Sequence, residues 1–180
     1  MKSFESNFKH SELTYLPQYH IAQLNIAHLI ESIDSPRLSD FVENLERINR
    51  LAEESPGFVW RLQTEEGDAT SVDFFGSDYV VNLSVWDSID TLHRYVYRSA
   101  HVEMLRRKKE WFHKMKNAYQ VLWWLPAGST PTIDEAAKRL ALVRRLGPTK
   151  DAFTFKNAFP SPGEQQSEPV ASWDEGCPAT

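Results

Sequence analysis

Apolar and polar positions change period along this chain, and the changes mark its elements. Over 20–27 the residues alternate, with Ala22, Leu24 and Ile26 on one side and Ile21, Gln23 and Asn25 on the other, which predicts a strand. At Ser35-Pro36 the period lengthens. Proline is tolerated in the first turn of a helix, and Leu38, Phe41, Val42, Leu45, Ile48, Leu51 and Ala52 then recur every three or four positions, predicting an amphipathic helix over 36–54. Ser55-Pro56-Gly57 ends it. Alternation returns over 58–63, with Phe58, Trp60 and Leu62 opposite Val59, Arg61 and Gln63, and again over 79–86, with Tyr79, Val81, Leu83 and Val85 opposite Val80, Asn82, Ser84 and Trp86. Glu65 to Asp68 is a turn between them, and 69–78 has no clear period.

From Trp86 to Phe112 the chain runs out of a strand, through a cap at Asp87 or Ser88, into a long helical segment. Leu92, Tyr95, Val96 and Ser99 recur at helical spacing, with a break expected near Arg98-Ser99-Ala100. Tyr97, His101, Met104 and Leu105 form one stripe, so His101 is expected to point inward among apolar neighbours. The basic run over 106–109 lies off that stripe and reads as a solvated face. A last strand is expected over 118–126, and a last helix over 132–146, capped by Thr130 or Thr132 and closed by Gly147-Pro148. Residues 1–18 lack periodicity and read as an N-terminal arm. Residues 157–180, acidic and punctuated by Pro160, Pro162, Pro169 and Pro178, read as a disordered tail, leaving a single domain over 19–156.

Composition narrows the class. With 41% hydrophobic and 12% aromatic residues in 180, the chain can bury a real core. It has no apolar run of transmembrane length and no signal-peptide core in its first twenty residues, so a soluble cytoplasmic protein is expected, not a membrane partner. Cys177 is the one cysteine, which excludes an internal disulfide and a cysteine-cluster metal site. The net charge of −5 is supplied largely by Glu164, Glu168, Asp174 and Glu175. The folded part is near neutral, which argues against nucleic acid as a partner.

The order strand, helix, strand, strand, helix, strand is a ferredoxin-like split β-α-β pattern, an α+β fold with an antiparallel sheet and two helices on one face, here with an extra C-terminal helix. The first helix is expected to cover Leu24, Ile26, Val81, Leu83 and Val85. The opposite face, carrying Trp86 and either Trp124 or Trp123, would then be a large bare apolar patch, and a homodimer pairing sheet against sheet would cover it.

The segments LNIAHL, NRLAEESPGFVWRLQ, NLSVWDSIDTLHRYVYRSAHVEMLRRKKEWF, YQVLWWLPAG and GPTKDAFTFKNAFP resemble the DUF3291 family over roughly residues 18–162. The resemblance implies membership of the dimeric α+β barrel group, whose relatives include antibiotic-biosynthesis monooxygenases and haem-degrading monooxygenases. It carries a barrel and a dimer, and no established activity.

Candidate chemistry follows from the sheet face assigned to the barrel interior. Gln23, Asn25, Asn82, Ser84 and Trp86 would line it, joined by Arg61 and by Trp124. Amides, a hydroxyl and aromatic walls suit a small-molecule pocket, although such groups can also satisfy one another in a wet interior. Asn25 is a poor strand former at mid-strand, and His101 stands where leucine would pack better. Both are therefore the catalytic candidates, with Arg61, Asn82, Ser84, Trp86, Tyr97 and Trp124 as substrate-binding candidates.

The monooxygenase relatives imply a cofactor-independent oxygenase or cyclase acting on an aromatic or polyketide-like molecule. The haem-degrading relatives imply the alternative of a haem-binding protein with His101 as axial ligand. Against that alternative, Thr91, Leu92 and Tyr95 stand where those relatives carry a helical Trp. A non-catalytic ligand-binding dimer is the third reading. No spaced metal-ligand set is visible. His93 and His113 read as surface residues, and His10, His20 and His28 have no evident partners.

Overall fold

The computed structural model describes residues 19–65 and 67–163. Four strands, β1 (Tyr19–His28), β2 (Phe58–Arg61), β3 (Tyr79–Trp86) and β4 (Gln120–Pro126), form one antiparallel sheet in the order β2-β3-β1-β4. The helices are α1 (Ser39–Glu53), entered through a 3-10 turn at Pro36–Leu38, then α2 (Ile89–Arg98), α3 (His101–Arg107) and α4 (Ile133–Leu146). This is an α+β fold with the ferredoxin-like strand order. None of the described helices is long and apolar enough to cross a membrane.

Local chemistry sets the joints. The helical segment after β3 divides because Ser99 adopts extended backbone (φ −104°, ψ −177°), and its hydroxyl accepts the His101 N–H at 3.1 Å in place of a helical bond. Ser88 caps α2 by accepting the Thr91 N–H at 3.3 Å. Gly57 ends the α1–β2 turn at φ +82°, and a Cβ there would lie 2.4 Å from Asp87 Oδ1 and 2.6 Å from Thr91. Its carbonyl accepts the Asp87 N–H at 2.8 Å, so this turn and the start of α2 are packed as one unit.

Each sheet face has its own cover. Ala22, Leu24, Ile26, Val81, Leu83, Val85, Val121, Trp123 and Leu125 pack under Ala136, Leu140 and Val143 of α4, with Val72 and Phe75 of the β2–β3 loop at the margin. Ile21, Trp86 and Leu122, on the other face, lie beneath Ala52 of α1, Ile89, Leu92, Tyr95 and Val96 of α2, and Phe153 and Phe155. The segment around Phe153 is a strap. It pairs with β4 through reciprocal Leu122 and Phe153 backbone bonds of 2.8 and 2.9 Å, and returns so that the Trp124 indole N–H donates to the Phe159 carbonyl at 2.9 Å.

Three expectations are overturned here. The sheet does not close into a barrel: β2 and β4 are its two separate edges. The homodimer was inferred from an aromatic face that one chain could not cover, yet Trp86, Trp123, Phe153 and Phe155 are fully buried within the single chain. Helix α4 takes one face, and α1, α2 and the strap take the other, so the reason for a sheet-to-sheet homodimer is gone. The assignment of faces is also reversed. The leucine–valine face meets α4, while α1 and α2 cover the face that carries the amides.

Candidate functional site

Register places three rows across the face under α1 and α2. The first is Phe58, Trp86, Ile21 and Trp124; the second Arg61, Ser84, Gln23 and Leu122; the third Asn82, Asn25 and Gln120. Arg61 joins this face because a bulge between Phe58 and Trp60 gives β2 an extra residue. Phe58 and Arg61 therefore share a face, and Val59 is pushed out, 42% exposed. The first row lies in the aromatic cluster under α2. Beyond the third row, Val80 packs against a second cluster built from Leu29, Leu38, Phe41, Leu45, Met104 and Trp111. A polar strip thus runs between two apolar clusters, and α3 bridges them, with Leu105 resting on the first and Met104 on the second.

The strip is charged at one end. Arg61, its side chain 13% exposed, pairs with Glu53 of α1 at 2.8 Å and donates to the Gly67 carbonyl at 2.8 Å. The Tyr95 ring stacks on Trp86 with centroids 4.9 Å apart, and its hydroxyl donates to the Ile48 carbonyl at 3.3 Å. Burial pushes the Tyr95 phenol above its ordinary pKa, and the nearby Arg61 charge pulls it part of the way back. The Trp86 indole N–H donates to Ser84 Oγ at 3.1 Å.

His101 lies 5.0 Å from Tyr95, ring to ring, with Nδ1 3.2 Å from the Val96 carbonyl. A carbonyl only accepts, so this contact places the proton on Nδ1 and leaves a lone pair on Nε2. Burial lowers the His101 pKa, against a smaller opposing effect of the Val96 bond, and so favours the neutral ring.

One amide on the strip is unspent: Asn25 Oδ1 is buried without a hydrogen-bond partner among the described residues, and Gln23, two residues before it, is 6% exposed. A buried polar atom without a partner costs about 1–3 kcal/mol. The strip therefore sets an unpartnered amide oxygen and a guanidinium beside an aromatic cluster whose Tyr95 touches a neutral imidazole.

The expected residues divide. Arg61, Ser84 and Trp86 come together, and His101 reaches them through Tyr95. Asn25 and Asn82 face each other across β1 and β3, four residues along from Trp86, about 13 Å at the usual rise of a strand. Asn82 is exposed. Trp124, not Trp123, shares the face of Trp86, and lies under the strap. Tyr97 stands apart from His101, packed on His93 and Phe155. The stripe that joined Tyr97 to His101 does not survive the break at Ser99, which re-phases the helix so that Tyr95 meets His101 instead.

His93 is not a surface residue: it is buried between Tyr97 and Phe155. His113 is exposed, and His28 is paired with Asp78 at 2.7 Å. His10 lies outside the described residues. Tyr95 and Glu53 belong to the site and were not singled out in the sequence. The i, i+8 pairing of Glu53 with Arg61 across a Pro-Gly turn was the available signal for the latter.

Among the described residues no three His, Cys, Asp or Glu side chains are grouped to hold a metal ion. For haem, the donor chemistry fits at one atom: a histidine whose Nδ1–H is held by a carbonyl presents Nε2 in the form an axial ligand takes.

Fold and site together define an open-sheet α+β protein with a polar strip between sheet and helices, flanked by two apolar clusters. The chain belongs to the DUF3291 family, a domain of unknown function, whose sequence profile matches residues 20–169. Among solved structures it is similar to two of SnoaB, a cofactor-independent oxygenase from Streptomyces nogalater, one of them a mutant of that protein. Each likeness has 14% identity and a TM-score of 0.39, over 62% of this chain and 95% of that one. It is also similar to the NE2512 protein of unknown function from Nitrosomonas europaea, with 8% identity and a TM-score of 0.41, over 64% of this chain and 96% of that one. At these values the likeness carries nothing about activity. No curated protein matches the sequence.

Proposed function

We propose that this protein binds a small aromatic or polyketide-like molecule on the polar strip and acts on it as a cofactor-independent oxygenase or cyclase. The observation that carries the reading is the buried, unpartnered Oδ1 of Asn25, set on a polar strip between two apolar clusters. A strand would be more stable with valine or leucine there, and a ligand edge supplies the missing hydrogen bond. His101 Nε2 is the base that takes a proton from an acidic phenol or from a C–H beside a carbonyl. Arg61 and the amide N–H groups stabilise the oxyanion that forms, in a site shielded from water by α2 and α3. In the oxygenase case the substrate anion supplies the electrons to oxygen. In the cyclase case the same anion attacks a carbonyl of its own chain.

The test is oxygen uptake with 1,8-dihydroxyanthrone, a tricyclic phenolic ketone, measured against its spontaneous oxidation. The wild-type chain is expected to accelerate uptake, and His101→Ala to lose at least roughly 10²-fold of that acceleration. Uptake no faster than the blank, together with unchanged tryptophan fluorescence on addition of the anthrone, would remove the reading.

One observation favours a second reading, the Nε2 lone pair of His101 held in ligand form by the Val96 carbonyl. A titration with hemin that gives a Soret band in the wild type and none in His101→Ala would replace the oxygenase reading with a haem-binding one.

A further inference from the structure

We infer that α3 is a lid over the polar strip, hinged at Ser99 and latched to α1 by two surface ion pairs. The helix has an anatomy unlike its neighbour. Helix α2, ten residues long, buries Ile89, Leu92, His93, Tyr95 and Val96, whereas α3 buries none of its seven. Between the His101 ring on Tyr95 at one end and Arg107 over Trp111 at the other, its underside rests on the protein through half-buried Met104 and Leu105, one on each apolar cluster, so it spans the strip. An element with so little buried surface belongs to the low-stability end of local opening.

Both ends of α3 are built to pivot. On one side Ser99 breaks the helix with extended backbone. On the other, a 3-10 turn (Lys108–Glu110) leads to Trp111, which is 1% exposed and whose carbonyl accepts the Ile30 N–H at 2.9 Å. Motion is thus confined to the segment between two fixed points. Across the outer side, Arg47 of α1 meets Glu103 at 3.4 Å, and Asp40 of α1 meets Arg107 at 2.7 Å. All four side chains are 40% exposed or more, so each pair holds weakly and is screened by salt, as a reversible latch must be. His101, at the hinge end of α3, is covered while the lid is down.

The lid deepens the reading of the strip as a binding cleft, but its test uses no ligand, so either idea can fail alone. Diethyl pyrocarbonate acylates neutral imidazole nitrogen. Its rate of reaction at His101 is followed by peptide mass spectrometry, with His93, buried beneath the strap, as the reporter of global opening. The variant Asp40→Asn/Arg47→Gln removes both latches from the α1 side and leaves α3 and the Trp111 anchor intact. His101 is expected to react faster than His93 in the wild type. In the variant its rate should rise roughly fivefold with His93 unchanged. Raising salt from about 0.05 to about 1 M should raise the wild-type rate at His101 and leave the variant's unaltered. A single common rate for both histidines, or a variant rate at His101 equal to the wild type's, would overturn the lid.

Discussion

Single side chains on the strip carry opposed demands of stability and binding. Asn25 carries a buried oxygen without a partner on a face that is apolar at both ends. Asn25→Val should stabilise the chain by about 1 kcal/mol, a rise in Tm of roughly 2–4 °C, while abolishing anthrone binding. A fall in Tm would show that the amide is satisfied in solution.

His101 makes a pH prediction. Its pKa is lowered from 6.5 by burial, so below about pH 6.5 the unfolded chain takes up a proton that the folded chain resists. Stability from this group is present above the unfolded value and is lost as pH falls through the folded one. The wild-type Tm should therefore drop more between about pH 7 and about pH 5 than that of His101→Gln; parallel curves would remove the claim. At this scale the sequence was legible wherever a residue contradicted its pattern. Asn25 and His101 stood out as costly choices on apolar faces. Tyr95 did not, because a tyrosine on a helical apolar stripe has an ordinary explanation, and only the three-dimensional approach of Arg61 distinguishes it.

Elements were read well where one period ran between strong punctuation, and poorly where a joint changed the phase. Alternation over 79–86 and the heptad-like stripe over 38–52 both correspond to observed elements. The bulge at Val59 leaves composition untouched and was not foreseen; the break at Ser99 falls where one was expected, but its re-phasing of the helix was not, and each shifts a side chain to a different face. Gly57 shows how tightly such joints are packed. Gly57→Ala must accommodate both positive φ and a Cβ 2.4 Å from Asp87 Oδ1, and should cost on the order of 2 kcal/mol or more. Urea denaturation with an unchanged slope would measure it, and a cost near zero would mean the α1–β2 turn is free to shift. The strap is an element with no regular period at all. Phe155 is fully buried against His93 and Tyr97, so Phe155→Ala should lose about 3–5 kcal/mol, read from the same denaturation curves. A loss below about 1 kcal/mol would show that the strap rests loosely on α2.

At the scale of the molecule, strand order followed from the sequence, while the way the sheet is covered did not. Placing both helices of the split pattern on one face left the other bare and called for a second chain. Helix α4 and a strap of irregular backbone do that work within one chain, and irregular segments announce no buried face through periodicity. Light scattering at micromolar concentration should accordingly give the mass of one chain, and a stable dimer would show that a surface other than the two sheet faces is sticky.

The position of α4 late in the described chain has a consequence for biosynthesis. Strand β1 waits for β4, whose residues pair with it from about a hundred positions downstream, and the leucine–valine face waits longer still for α4. At translation speeds of roughly 5–20 residues per second, that face stays bare on the nascent chain for on the order of 5–20 s. A ribosome-bound chain halted before Ile133 should therefore hold chaperone contacts that full-length chains release, because the oily side of the sheet is sealed only by α4, the last of the described helices to emerge.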